Sequence, residues 1–128
     1  MGPEETVREF FRLLALPDTA AAVALLDDEV VWRNTGLPTV TGRKVGGMLL
    51  DAEKRGIAIA ITVHHAATDG DVVLTDRTDV LSKGKWEASF RVRGTLEVRD
   101  GKITVWDDAF SWLDFTRGAL VGLTRLLG

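Results

Sequence analysis

The hydrophobic period of the chain changes at Ile57, and that change constrains the fold more than any other feature. Beyond it, Ile57–Ala67, Val72–Lys83, Trp86–Val98 and Ile103–Trp112 are four long runs of strand-forming character. Asp69-Gly70-Asp71, Ser82-Lys83-Gly84-Lys85 and Arg99-Asp100-Gly101 separate them. Each is a hairpin connection, so the second half of the chain predicts an antiparallel meander.

The first half reads differently. Val7, Phe10, Phe11 and Leu14 recur at helical spacing, with Glu4, Glu5, Arg8, Glu9 and Arg12 between them. That pattern is an amphipathic helix ended by Pro17. Asp18 or Thr19 caps a short second helix through Ala20–Leu26. Glu29–Asn34 predicts a strand, Gly36-Leu37-Pro38 a turn, and Arg43–Arg55 a helix closed by Gly56. Asp114–Leu127 returns to helix. Helices followed by a meander predict an α+β fold, with helices packed on one face of a curved sheet.

The 128 residues suffice for one domain, residues 1–128, with a sizeable core. A net charge of −3 and the lack of any Lys/Arg-rich run give no footprint for nucleic acid. No apolar stretch approaches the ~18 residues that a membrane span requires. The acidic start Met1-Gly2-Pro3-Glu4-Glu5 has no apolar leader, and there is no cysteine, so a cytoplasmic compartment is expected. Without cysteine, disulfides, thiolate metal sites and cysteine nucleophiles are excluded. Tyrosine is absent as well.

Against this background one charged set stands out. Arg77-Thr78-Asp79 and Asp108, within Trp106-Asp107-Asp108-Ala109-Phe110, lie in segments that read as half-buried strands. Burying such charges is costly unless they are paired. Strand alternation puts Thr75, Arg77, Asp79 and Leu81 on one face, and Thr104, Trp106, Asp108, Phe110 and Trp112 on one face of the later strand. With both faces on the concave side, Arg77 lies between the two carboxylates, and Asp76 and Asp107 point away. A one-residue slip of register would exchange the whole set. Two carboxylates flanking one guanidinium can share one proton and titrate as a coupled pair, which suits push–pull acid–base chemistry. Taken alone, the same residues also suit an ion-pair network that only stitches two strands together.

The order Trp32-Arg33-Asn34, Asp76-Arg77-Thr78-Asp79-Val80-Leu81 and Trp106-Asp107-Asp108-Ala109-Phe110 resembles the limonene-1,2-epoxide hydrolase family. The tail, Leu113-Asp114-Phe115-Thr116-Arg117-Gly118-Ala119-Leu120, is similar too, so the likeness covers almost the whole chain. The resemblance implies a cone-shaped fold of the nuclear-transport-factor-2 and ketosteroid-isomerase type. Its curved mixed sheet is packed by N-terminal helices, and the protein is usually a homodimer. It also implies cofactor-free, metal-free, one-step hydrolysis of a small apolar epoxide to a vicinal diol. In those terms Asp108 is the base that deprotonates water, Asp79 the acid that protonates the oxirane oxygen, Arg77 the bridge and Asn34 a water holder. Phe11, Leu14, Leu81, Trp106, Phe110 and Phe115 are the expected substrate wall, although any of them also suits plain core.

The departure is Trp32, where the family's best-known members carry a tyrosine as a further water holder. An indole N–H is a donor only, and a donor is what that water needs once its two hydrogens point to Asp108 and Asn34. Trp32 is therefore chemically admissible as that water holder, and it equally suits core or pocket wall. Two other readings stay open: opening of the epoxide by a hydroxyl of the same substrate, and ligand binding without catalysis. Ketosteroid-isomerase chemistry fits poorly, because its oxyanion hole resembles a tyrosine site. His64 and His65, being adjacent on a strand, are expected on opposite faces. Arg117 and Arg125 fit a solvated helix face or a dimer contact. Gly46, Gly47 and Gly94 lack the strand–loop–helix setting of a phosphate loop.

Overall fold

A computed structural model describes residues 1–127. In chain order the elements are α1 (Pro3–Ala15), α2 (Thr19–Val23), β1 (Leu26–Asn34), β2 (Val40–Thr41), α3 (Arg43–Lys54), β3 (Ile57–Asp69), β4 (Val72–Lys83), β5 (Trp86–Arg99), β6 (Lys102–Phe110) and α4 (Trp112–Leu127). Pro3 opens α1, where its missing N–H costs nothing, and the Asp18 side chain caps α2 by accepting from the Ala21 N–H.

The six strands form one sheet in the order β2-β1-β6-β5-β4-β3. Strands β3 to β6 are the expected meander. β1 then joins the far side of β6 in parallel, pairing Trp32 with Trp106 and Asn34 with Asp108. The fold is α+β with a mixed sheet. α1 lays Val7, Phe10, Leu13 and Leu14 on the concave face, against Val73, Leu96, Val98, Ile103 and Trp106.

Several boundaries differ from the sequence reading. α2 stops at Val23, and Leu26, expected at its end, opens β1. β6 ends at Phe110, so Trp112 starts α4 instead of continuing the strand. The short β2 was not expected at all; Val40 and Thr41 pair with Trp32 and Val31. A register shift in β3 between Val63 and His65 makes His64 an extra residue. His64 Nε2 is 2.7 Å from Thr78 Oγ1 and His65 Nδ1 is 3.3 Å from Asp76 Oδ2, so both rings lie on the outer face. The expectation of opposite faces fails because a bulge breaks the two-residue alternation.

α4 has a specific seat. β6 ends opposite Val92, leaving Trp86–Arg91 of β5 without a β6 partner, and α4 covers that stretch. Trp86 Nε1 donates to Ala119 O at 3.2 Å. Any Cβ on Gly118 or Gly122 would run into the backbone carbonyls of Ser89 and Glu87. The two glycines let helix and strand meet backbone to backbone, which fixes where Trp112 and Phe115 stand.

Candidate active site

Three neighbouring strands build the charged cluster. Thr75, Gly94 and Asp108 lie in line across β4, β5 and β6. Arg77, one pleat further along β4, reaches over β5 to Asp108. Gly94 makes that reach possible: a Cβ there would lie 2.5 Å from Arg77 Nη1 and 2.7 Å from Asp108 Oδ1. The sequence reading considered Gly94 only as a phosphate-loop glycine. The available signal was a glycine interrupting a long strand, which marks a bulge or a close approach.

Arg77 is completely buried, and Asp79 and Asp108 are 4% and 5% exposed. The guanidinium donates through Nε to Asp79 Oδ1 (2.9 Å) and through Nη2 to Asp79 Oδ2 (3.0 Å). It donates to Asp108 through Nη1 to Oδ1 (3.0 Å) and through Nη2 to Oδ2 (2.6 Å). Its remaining Nη1 hydrogen goes to Thr75 Oγ1 at 3.4 Å. A guanidinium has five N–H donors, and all five are used. Arg77 can therefore orient both carboxylates but has no donor left for a ligand.

Electrostatics follow from that geometry. Burial opposes the Arg77 charge, yet the two carboxylates more than reverse it, and the guanidinium stays firmly protonated. Burial raises the Asp108 pKa above the ordinary carboxylate range; Arg77 counters by charge and hydrogen bonding, the charge of Asp79 adds to the rise, and the Trp106 N–H opposes it. One cation and two buried carboxylates leave an excess negative charge, which a single shared proton removes. On the outer face Asp76 pairs with Arg91 instead, at 2.7 Å through both oxygens.

The carboxylates open on a cavity of about 390 Å³ with an almost wholly apolar wall. Of the residues expected there, Leu14, Leu81, Trp106, Phe110 and Phe115 line it, as do Trp32 and Asn34. Phe11 does not. Its ring lies against the guanidinium of Arg77, with the ring centroid 4.7 Å from the central carbon, so it supports the cation by a cation–π contact. The helical face of Phe11 was legible, but not which neighbour that face meets. Met48, Leu49 and Ala52 of α3 and Phe90 of β5 also line it and were not anticipated; Trp112, expected on the face of Asp108, lines it from α4. For Met48, Leu49 and Ala52 the signal was present in the apolar spacing of α3.

Trp32 stacks on Trp106, with centroids 4.7 Å apart and planes inclined by 16°. Its indole N–H is buried and has no acceptor among the described residues. Trp106, in contrast, donates its N–H to Asp108 Oδ2 at 2.9 Å. Asn34 stands beside Asp108 through the parallel pairing of β1 and β6. Among the described residues no group of three or more His, Cys, Asp or Glu is placed to hold a metal ion.

A curved mixed sheet packed by helices, with an Asp–Arg–Asp cluster opening on an apolar cavity, defines a class of small α+β enzymes. Residues 2–120 match the model of the limonene-1,2-epoxide hydrolase catalytic domain, and the chain belongs to that family. It is 35% identical to epoxide hydrolase EphG of Mycobacterium tuberculosis (strain ATCC 25618 / H37Rv), over 94% of this chain and 81% of that one. A solved structure of an M. tuberculosis epoxide hydrolase of the same type superposes with a TM-score of 0.91 at 35% identity, covering 96% of this chain and 92% of that chain. A putative polyketide cyclase from Xanthomonas campestris pv. campestris shares the fold, with a TM-score of 0.80 over 91% of this chain and 96% of that one, at 14% identity.

Proposed function

We propose that this protein hydrates a small apolar epoxide to a vicinal diol in one step. Asp108 takes a proton from water as the water oxygen attacks an oxirane carbon. Asp79 gives its proton to the oxirane oxygen as the carbon–oxygen bond breaks. Epoxide and water are consumed, one diol forms, and the proton gained by Asp108 returns to Asp79 before the next cycle. Asn34 accepts the water's second hydrogen, and Trp32 offers its N–H to a lone pair. Leu14, Leu81, Phe110 and Phe115 enclose the apolar part of the substrate.

The saturation of Arg77 carries this reading. With all five donors committed to Asp79, Asp108 and Thr75, the guanidinium cannot hydrogen-bond the oxirane, so assistance falls to a protonated Asp79. The donor sets work against burial, which raises the Asp108 pKa: Asp108 accepts three N–H groups and Asp79 two, which favours Asp108 as the ionised partner.

Styrene, cyclohexene and limonene oxides are the substrates to try, with ¹⁸O-labelled water supplying one diol oxygen. Asp79→Asn and Asp108→Asn should each lose about 10²–10⁴-fold in rate. Near-normal diol formation by both variants would refute the mechanism, and melting shifts with ligand but no turnover would leave a binding protein. A homodimer in the cytoplasm is the assembly and location we propose. The solvent-facing Leu113, Leu120, Leu123 and Leu126 of α4 support association, and the lack of cysteine suits a reducing compartment.

A further inference from the structure

Among the large aromatic residues of the cavity, Trp106 makes a contact that a wall residue does not need. Its indole N–H points at Asp108 Oδ2, 2.9 Å away, two residues along the same strand. The ring is held on two sides: Trp32 stacks on it at 4.7 Å, and Phe10 meets it edge-on at 5.0 Å and 85°. Both Trp106 and Phe10 are core residues, 3% and 0% exposed. An aromatic ring clamped in this way has little freedom, so its N–H direction is set by packing and not by the carboxylate it serves.

Arg77 alone leaves the base incompletely fixed. Its Nη2 divides its hydrogens between Asp79 and Asp108, so any movement of Asp79 during proton delivery is felt through the shared guanidinium. The Trp106 bond reaches Asp108 from its own strand and is independent of Asp79. We propose that Trp106 is a positioning residue for the base, its clamped indole N–H holding Asp108 Oδ2 in place while the proton on Asp79 is transferred. Trp32 then has a second task, because it is one jaw of the clamp. The proposal rests on the reading of Asp108 as the base of epoxide hydrolysis.

The charged groups acting on Asp108 are Arg77 and Asp79, both from β4, and the indole N–H is the further donor that stabilises its ionised form. Trp106→Phe keeps the ring and removes the donor. The expected result is a fall in kcat of ~10-fold or more with KM little changed, and an acid limb of the kcat/KM profile displaced upward by about one pH unit. A second measurement needs no variant in that position: one of the four indole N–H signals of the ¹⁵N-labelled wild-type protein should titrate with the midpoint of that acid limb. An unmoved limb in a folded Trp106→Phe protein, with any loss confined to KM, would reduce Trp106 to a wall residue. So would four indole signals that all ignore the limb. If Asp108→Asn keeps near-wild-type turnover, the base assignment itself falls and the proposal falls with it. If Asp108→Asn is inactive while the limb stays fixed in Trp106→Phe, only the positioning role is lost.

Discussion

Arg77 passes over Gly94 so closely that a single methyl group on the glycine would sit 2.5 Å from the guanidinium Nη1. The same methyl group would lie 2.7 Å from Asp108 Oδ1 and 3.0 Å from Thr75 Oγ1. The β5 backbone is thus the floor of the cluster, and the missing side chain is what lets a cation on β4 reach a carboxylate on β6. Gly94→Ala should separate Arg77 from Asp108. We expect kcat to fall by about 10²-fold, as a displacement near 1 Å can cause, and stability to fall by about 1–3 kcal/mol from overpacking. Steady-state rates with thermal melts check both; an alanine variant of wild-type rate would mean the close passage is dispensable.

The raised pKa of Asp108 sets the direction of the pH dependence. Burial is the main cause, and the group must be ionised to act as base. Activity should therefore be present above the raised pKa and lost as pH falls through it, with the midpoint above the ~3.9 of an ordinary aspartate. A kcat/KM profile whose acid limb lies at or below that value would contradict the assignment.

Trp32 has a buried N–H without an acceptor among the described residues and a ring stacked on Trp106. Trp32→Phe preserves an aromatic surface and removes the donor. If the N–H helps to hold the nucleophilic water, kcat should drop ~10-fold, about the worth of one hydrogen bond. Full turnover in the variant would leave Trp32 as a wall and clamp residue alone.

Gly122 tests the other side of the cavity. With no room for a Cβ against the Glu87 carbonyl, Gly122→Ala should push α4 off β5 and disturb Trp112 and Phe115, which line the cavity. The charged side chains stand on β4 and β6, and α4 meets β5 at Glu87 and Ser89, not at Gly94 beneath the cluster. The expected outcome is a KM raised several-fold and altered preference among epoxides, with the pH profile unchanged. A shifted acid limb would show that α4 also acts on the cluster.

Much of the site was legible because strand parity is a local property. Alternation along β4 and β6 turns Arg77, Asp79, Trp106 and Asp108 inward and Asp76 and Asp107 outward, and hairpin turns fix the meander that aligns them. The five lining residues named from the sequence beside Phe11 follow from the same parity and from helical spacing. Parity fails where the backbone breaks it, as the bulge at His64 does, and where an element changes type, as Trp112 does.

The sequence by itself determined that a helical segment precedes four strands, and which residues share a face along β4 and β6. It also put Arg77 and Asp79 on one face of their strand and Asp108 on one face of its own, so that the three meet where both faces are concave. Tertiary structure decided the rest: that β1 lies parallel to β6, setting Asn34 beside Asp108; that the Phe11 ring lies against Arg77 and not on the cavity wall; that Gly94 is the gap through which the cluster closes. The physical reason is that periodicity reports which side of its own element a residue faces. What stands opposite it depends on strand order and close packing between distant segments, and no local spacing encodes those.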